Sequence, residues 1–194
     1  LFAAGGWMGR VAVAPPAAAT AFGLLTRFLL RELRPTAALF GVLVALPLTA
    51  PHILARPHIL ALPLLVAWVA ALIRSVDTRT APSWFLLPLM TLWANLHGSF
   101  TFGLAMIGAA GAEALFRAKP AERMNVVHQW GSFGVLALVA ACLNPYGPEM
   151  ILVTLRTVAL GPALATITEW RPQDFSHIGS FEIIMLGGFG LALY

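Results

Sequence analysis

Apolar residues in this chain come in long runs, each closed by a short polar punctuation. The runs cover 11–30 (interrupted by Pro15–Pro16 and followed by RFLLRELR), 36–50, 57–73, 83–96, 100–116, 131–143 and 150–167, with a last beginning near 181. Each predicts a helix. A helix rises 1.5 Å per residue, so about 20 residues cross a hydrocarbon layer of about 30 Å. Several runs are shorter, and flanking Trp, His and small residues extend them. The 13-residue run at 131–143 is the weakest span, lengthened only by Gln129 and Trp130. The run 150–167 is broken by Arg156, Gly161 and Pro162, which suits a re-entrant or interfacial segment better than a full crossing.

LWANLHGSF, at 92–100, places Asn95, His97 and Ser99 inside one of the most apolar regions. A single helix over 83–116 would exceed 30 residues, about 50 Å, and would strand those polar groups at mid-depth. Breaking it at His97–Gly98 brings them to a helix end. The predicted architecture is therefore all-α, a polytopic transmembrane helix bundle.

Composition supports that reading. The chain has 194 residues, 59% of them hydrophobic and 10% charged, with a mean hydropathy of +0.84. A soluble domain carries about 25% charged residues. The net charge of +4 lies in short clusters between apolar runs, without the aromatic–basic interleaving of a nucleic-acid surface. No nucleic-acid partner is expected. Cys142, the one cysteine, lies in an apolar run and reads as a packing residue. The chain opens at Leu1 and ends at Tyr194 inside an apolar run. The expectation is one transmembrane domain, 1–194, forming a fragment of a longer protein cut at both ends.

The gaps between runs fall into two alternating sets. One holds eight basic residues: Arg27, Arg31, Arg34, Arg74, Arg79, Arg117, Lys119 and Arg123. The other, with Arg10, Arg56, Arg156 and Arg171, holds four. The positive-inside rule makes the first set cytoplasmic. Glu113 and Arg117, four apart, are expected to pair there.

The second set gathers a different chemistry. PHILARPH carries His52, Arg56 and His58; WANLHGS carries Trp93, Asn95 and His97. NPYGPE carries Asn144, Tyr146 and Glu149; EWRPQDF carries Glu169, Trp170, Arg171 and Asp174. Arg and His bind phosphate, and a carboxylate serves as a base or metal ligand. Those parts suit an enzyme acting on a lipid-linked phosphate. The candidate substrate-binding residues are Arg56, His58, Asn95, His97, Asn144, Tyr146, Glu169, Arg171 and Asp174. The structural alternatives are plain. NPYG is a good turn, the tryptophans at 84, 93, 130 and 170 suit interfacial anchors, and His97 suits a helix-to-helix hydrogen bond. No spacing of metal ligands, Walker loop or GxGxxG is present.

In order, ARPHIL, LWANLHGSFTFGL, LNPYGPEM and ITEWRPQDF resemble a family of bacterial polytopic membrane proteins grouped with glycosyltransferases of the GT-C type, near the dolichyl-phosphate-mannose and aminoarabinose transferases. The resemblance covers 36–182. It implies a bacterial inner-membrane protein with a periplasmic active site, a polyprenyl-phosphate sugar donor, and membrane lipids and a lipid-linked sugar as partners. No cofactor is expected, although the chemistry leaves room for a divalent metal. The family's key carboxylate sits in a first periplasmic loop, upstream of these motifs, so no catalytic base is assigned here. Two other classes stay open. A transporter or flippase would set polar groups at mid-depth. A non-catalytic scaffold would rely on small-residue packing such as GAAGAEA at 108–114.

Overall fold

A computed structural model describes residues 2–50, 53, 58–160 and 174–192. Among them the secondary structure is helical: α1 (Phe2–Glu32), α2 (Pro35–Thr49), α3 (His58–Asp77), α4 (Leu86–Leu96), α5 (Phe100–Arg117), α6 (Arg123–Ala141), α7 (Glu149–Val158) and α8 (Ser180–Ala192). A short 3-10 turn, Pro120–Glu122, leads into α6. The apolar runs thus translate into helices, except that the run 150–167 is described only as far as α7, its expected break at Gly161–Pro162 lying outside the described residues. Among the described residues, three helical stretches are long and apolar enough to cross a membrane: Val11–Glu32, His58–Asp77 and Pro120–Ala141.

Two expectations about helix length need correction. Pro15–Pro16 does not interrupt α1, which runs through both prolines. Two prolines remove two backbone donors, and the alanine-rich flanks retain helical geometry around them. The run at 131–143 is also no weak span. Its helix starts at Arg123, because Met124, Asn125, Val126, Val127, His128 and Gln129 form further turns that a hydropathy run leaves out.

The core lies among α3, α4, α5 and α6. Buried positions recur at helical spacing: Trp68, Leu72 and Val76 on α3, Leu86, Met90, Trp93 and Ala94 on α4, Phe100 and Ile107 on α5, Trp130, Phe133, Ala137, Ala140 and Ala141 on α6. Three aromatic rings knit these helices. Trp68 lies 6.3 Å edge-on from Trp93 and 5.9 Å from Phe133, centroid to centroid. The Trp68 indole N–H donates to the Gly103 carbonyl at 3.0 Å, so its one polar atom is satisfied in a dry core. Trp93 and Trp130 are therefore core residues rather than interfacial anchors; Trp84 remains half exposed.

Around this core the outer faces stay apolar. Leu39 and Leu43 on α2, Phe102 on α5 and Val135 and Val139 on α6 are all exposed. Helices apolar on faces that no protein covers match a lipid environment. α1 packs on α3, and α2 packs on both α1 and α8.

The two sets of gaps occupy opposite ends. Arg117 bonds Asp77 at 2.9 Å and also pairs with Glu113, joining the C-termini of α3 and α5. Arg27 and Arg31 of α1 share a groove with Arg74 of α3 at that same end. His58 opens α3 at the other end, about 30 Å away along a 20-residue helix.

Candidate functional site

At the end opposite the arginines, α4 stops at Leu96 and α5 starts at Phe100. The break predicted at His97–Gly98 is present. His97 is extended (φ −160°, ψ 142°), and its N–H still bonds the Trp93 carbonyl at 3.0 Å. Gly98 is needed for closeness: a Cβ there would lie 3.3 Å from the Thr154 hydroxyl of α7.

The turn fixes the His97 imidazole. Ser99 donates its backbone N–H to His97 Nδ1 at 3.2 Å, and the Ser99 hydroxyl lies 2.9 Å from the same nitrogen. Trp93 Nε1–H donates to that hydroxyl at 3.0 Å. A backbone N–H can only donate, so Nδ1 carries a lone pair and the neutral ring holds its proton on Nε2. The chain Trp93–Ser99–His97 thus runs from the buried core to an exposed imidazole. Partial burial, and then repulsion from His58, hold the His97 pKa below the ordinary imidazole value.

His58 comes from a different motif, 39 positions earlier in sequence numbering, yet its ring lies 6.1 Å from that of His97 in an edge-on arrangement. Asn95, two residues before His97, is spent on structure. Its amide donates to the Thr91 carbonyl at 2.8 Å and to the Leu143 carbonyl at 2.9 Å, tying α4 to the end of α6. Thr91 adds a bond to the Ala140 carbonyl at 2.9 Å. These two side chains bond carbonyls where the regular ladder of α6 stops, the Ala140 carbonyl also accepting the Leu143 N–H at 3.2 Å.

NPYG forms a tight turn. Asn144 Oδ1 accepts the Tyr146 N–H at 2.8 Å, and its amide reaches the Ala141 carbonyl at 2.8 Å. Gly147 has φ +55°, which favours glycine. Asn144 is consumed by the turn, whereas the Tyr146 ring projects freely, 68% exposed. Glu149 opens α7 and pairs with Arg156 at 2.8 Å. Asp174 is exposed in the turn before α8; hydrogen bonds from Ser176 hold its carboxyl below the usual carboxylate range. Among the described residues no hydrogen bond or ion pair joins Asp174 to the two histidines. Arg56, Glu169 and Arg171 lie outside the described residues. Among the described residues no three His, Cys, Asp or Glu side chains group closely enough to hold a metal ion.

The chain matches no family model, no curated protein and no solved structure. The resemblance to GT-C transferases therefore rests on the four motifs alone. Of their residues, the structure brings His58 and His97 together and adds one partner, Ser99, bonded to His97. Ser99 has a sequence signal, since a side chain two positions after a histidine can close a turn onto it.

Proposed function

We propose that this chain belongs to an integral-membrane glycosyltransferase of the GT-C type, which takes sugar from a polyprenyl-phosphate donor. The observation that supports this most is the pairing of His58 and His97, two imidazoles from separate motifs, 6.1 Å apart at one end of the bundle. The Ser99 N–H at Nδ1 leaves the His97 Nε2–H to donate. Two imidazolium rings side by side would repel each other. A bound phosphate reverses that repulsion, because each positive imidazole then faces an anion.

The reaction would be a displacement at the anomeric carbon. The acceptor oxygen forms a bond to that carbon as the carbon–phosphate oxygen bond breaks, and the bonding pair leaves on the lipid phosphate. The acceptor proton goes to a carboxylate base, which in the resembling enzymes stands in an earlier loop. His58, His97 and Arg56 would meet the negative charge that develops on the leaving phosphate. Such preset charge stabilisation commonly contributes more to catalysis than any other single effect. Tyr146, Glu169, Arg171 and Asp174 would position the acceptor. In this reading the site faces the periplasm of a bacterial inner membrane.

The test is transferase activity in cells carrying Arg56→Ala or His97→Ala at normal expression levels. Loss of about a hundredfold is expected for His97→Ala, the size seen when one donor to a developing charge is removed. Full activity in both variants would overturn these roles.

A further inference from the structure

The arginine end holds a second feature that the transferase reading does not use. A groove of about 590 Å³ runs between α1 and α3. Leu24, Phe28, Val66 and Ala70 give it an apolar lining, and Arg27, Arg31 and Arg74 line its end at the C-terminal turns of α1 and α3. The three arginines are exposed, and none makes an ion pair or side-chain hydrogen bond with another described residue. Glu32 and Asp77 also face the groove, but Asp77 is already bonded to Arg117. The groove therefore keeps a net positive end. Arg27 and Arg31, one helical turn apart, repel each other, and Glu32 offsets only one of the three positive charges.

From this geometry we infer that the α1–α3 groove binds one anionic phospholipid, its phosphate among Arg27, Arg31 and Arg74 and an acyl chain along the apolar wall. The order of the lining matches such a molecule. From Val66 to Arg74 the wall changes from apolar to cationic over eight residues, about 12 Å of helix. Arginine forks bind phosphate oxygens in pairs, and basic pockets between membrane helices hold anionic headgroups. α1 and α3 both include stretches able to cross a membrane, so the groove opens where lipids are. A soluble anion would use the arginine end alone and leave the apolar wall unexplained.

Native mass spectrometry of the whole purified protein, released from detergent, tests this with phosphatidylglycerol, phosphatidylcholine and glycerol phosphate as probes. One phosphatidylglycerol should stay bound, at least tenfold more than phosphatidylcholine. Arg27→Gln/Arg31→Gln/Arg74→Gln should lose that preference. Arg34→Gln/Lys119→Gln/Arg123→Gln, which removes equal charge outside the groove, should keep it. Ala70→Phe fills the wall with every charge in place and should also lower retention, which separates groove loss from misfolding of the triple variant. Equal retention of both lipids, or unchanged retention in the groove variants, overturns the inference. Retention of glycerol phosphate as strong as that of the lipid overturns it in favour of a soluble-anion site.

Discussion

At the scale of single residues, His97 is set by a neighbour that donates to it. Protonation at Nδ1 would break the contact with the Ser99 N–H and place a positive charge beside the His58 ring. Its pKa in the folded chain is lowered, so between that value and the ordinary imidazole value of about 6.5 the unfolded chain binds more protons. The stability it contributes is thus complete above that range and is lost as pH falls through it. Thermal melts between pH 7.5 and 5 should show stability declining on acidification, and His97→Gln should flatten the decline. An unchanged slope in the variant would show that His97 is not the titrating group. His97 and its polar neighbours are legible in the sequence, because charge-bearing residues stand out against an apolar run. That Asn95 and Asn144 spend their amides on backbone carbonyls is not. It depends on where α6 ends in space, which no local pattern states.

Among elements, the contact between α4 and α5 depends on a missing side chain. A Cβ on Gly103 would lie 2.6 Å from the Trp93 ring and 3.2 Å from two of its neighbouring atoms. Trp93 cannot step aside, since it is fully buried against Trp68. Gly103→Ala should therefore destabilise the bundle by about 1–3 kcal/mol, the usual cost of overpacking a core. Chemical or thermal unfolding in detergent would measure it; a neutral result would mean that α4 and α5 separate easily. The apolar runs locate these helices within a few residues. They understate the length of α6 because its first turns carry Asn125, His128 and Gln129, and a run of hydropathy registers composition, not continuity of backbone bonding. Trp93 and Trp130 resemble anchors in the sequence for a related reason: it shows that a tryptophan lies near a polar loop, not which way it turns.

For the molecule as a whole, the arrangement has two chemically distinct ends. The alternation of basic and polar gaps, read from sequence, agrees with the contacts that join Asp77 to Arg117 at one end and Asn95 to Leu143 at the other. Single cysteines in place of Lys119 and Tyr146, with Cys142 replaced by Ala, should react with a membrane-impermeant thiol reagent from opposite sides of sealed vesicles. Labelling of both from the same side would contradict the membrane arrangement. The groove between α1 and α3 has no counterpart in the sequence, since three arginines from two helices become neighbours only when the helices pack.

The length of α3 carries one more consequence. His58 and Arg74 are sixteen positions apart on a single helix, about 24 Å along its axis. Two phosphate-binding places so separated would address opposite leaflets, and one lipid could not reach both. An anionic lipid at the arginines should then leave the apparent affinity for a polyprenyl-phosphate donor unchanged, altering turnover if it alters anything. The bundle would act as a ruler that keeps a structural lipid and a reacting one from ever competing.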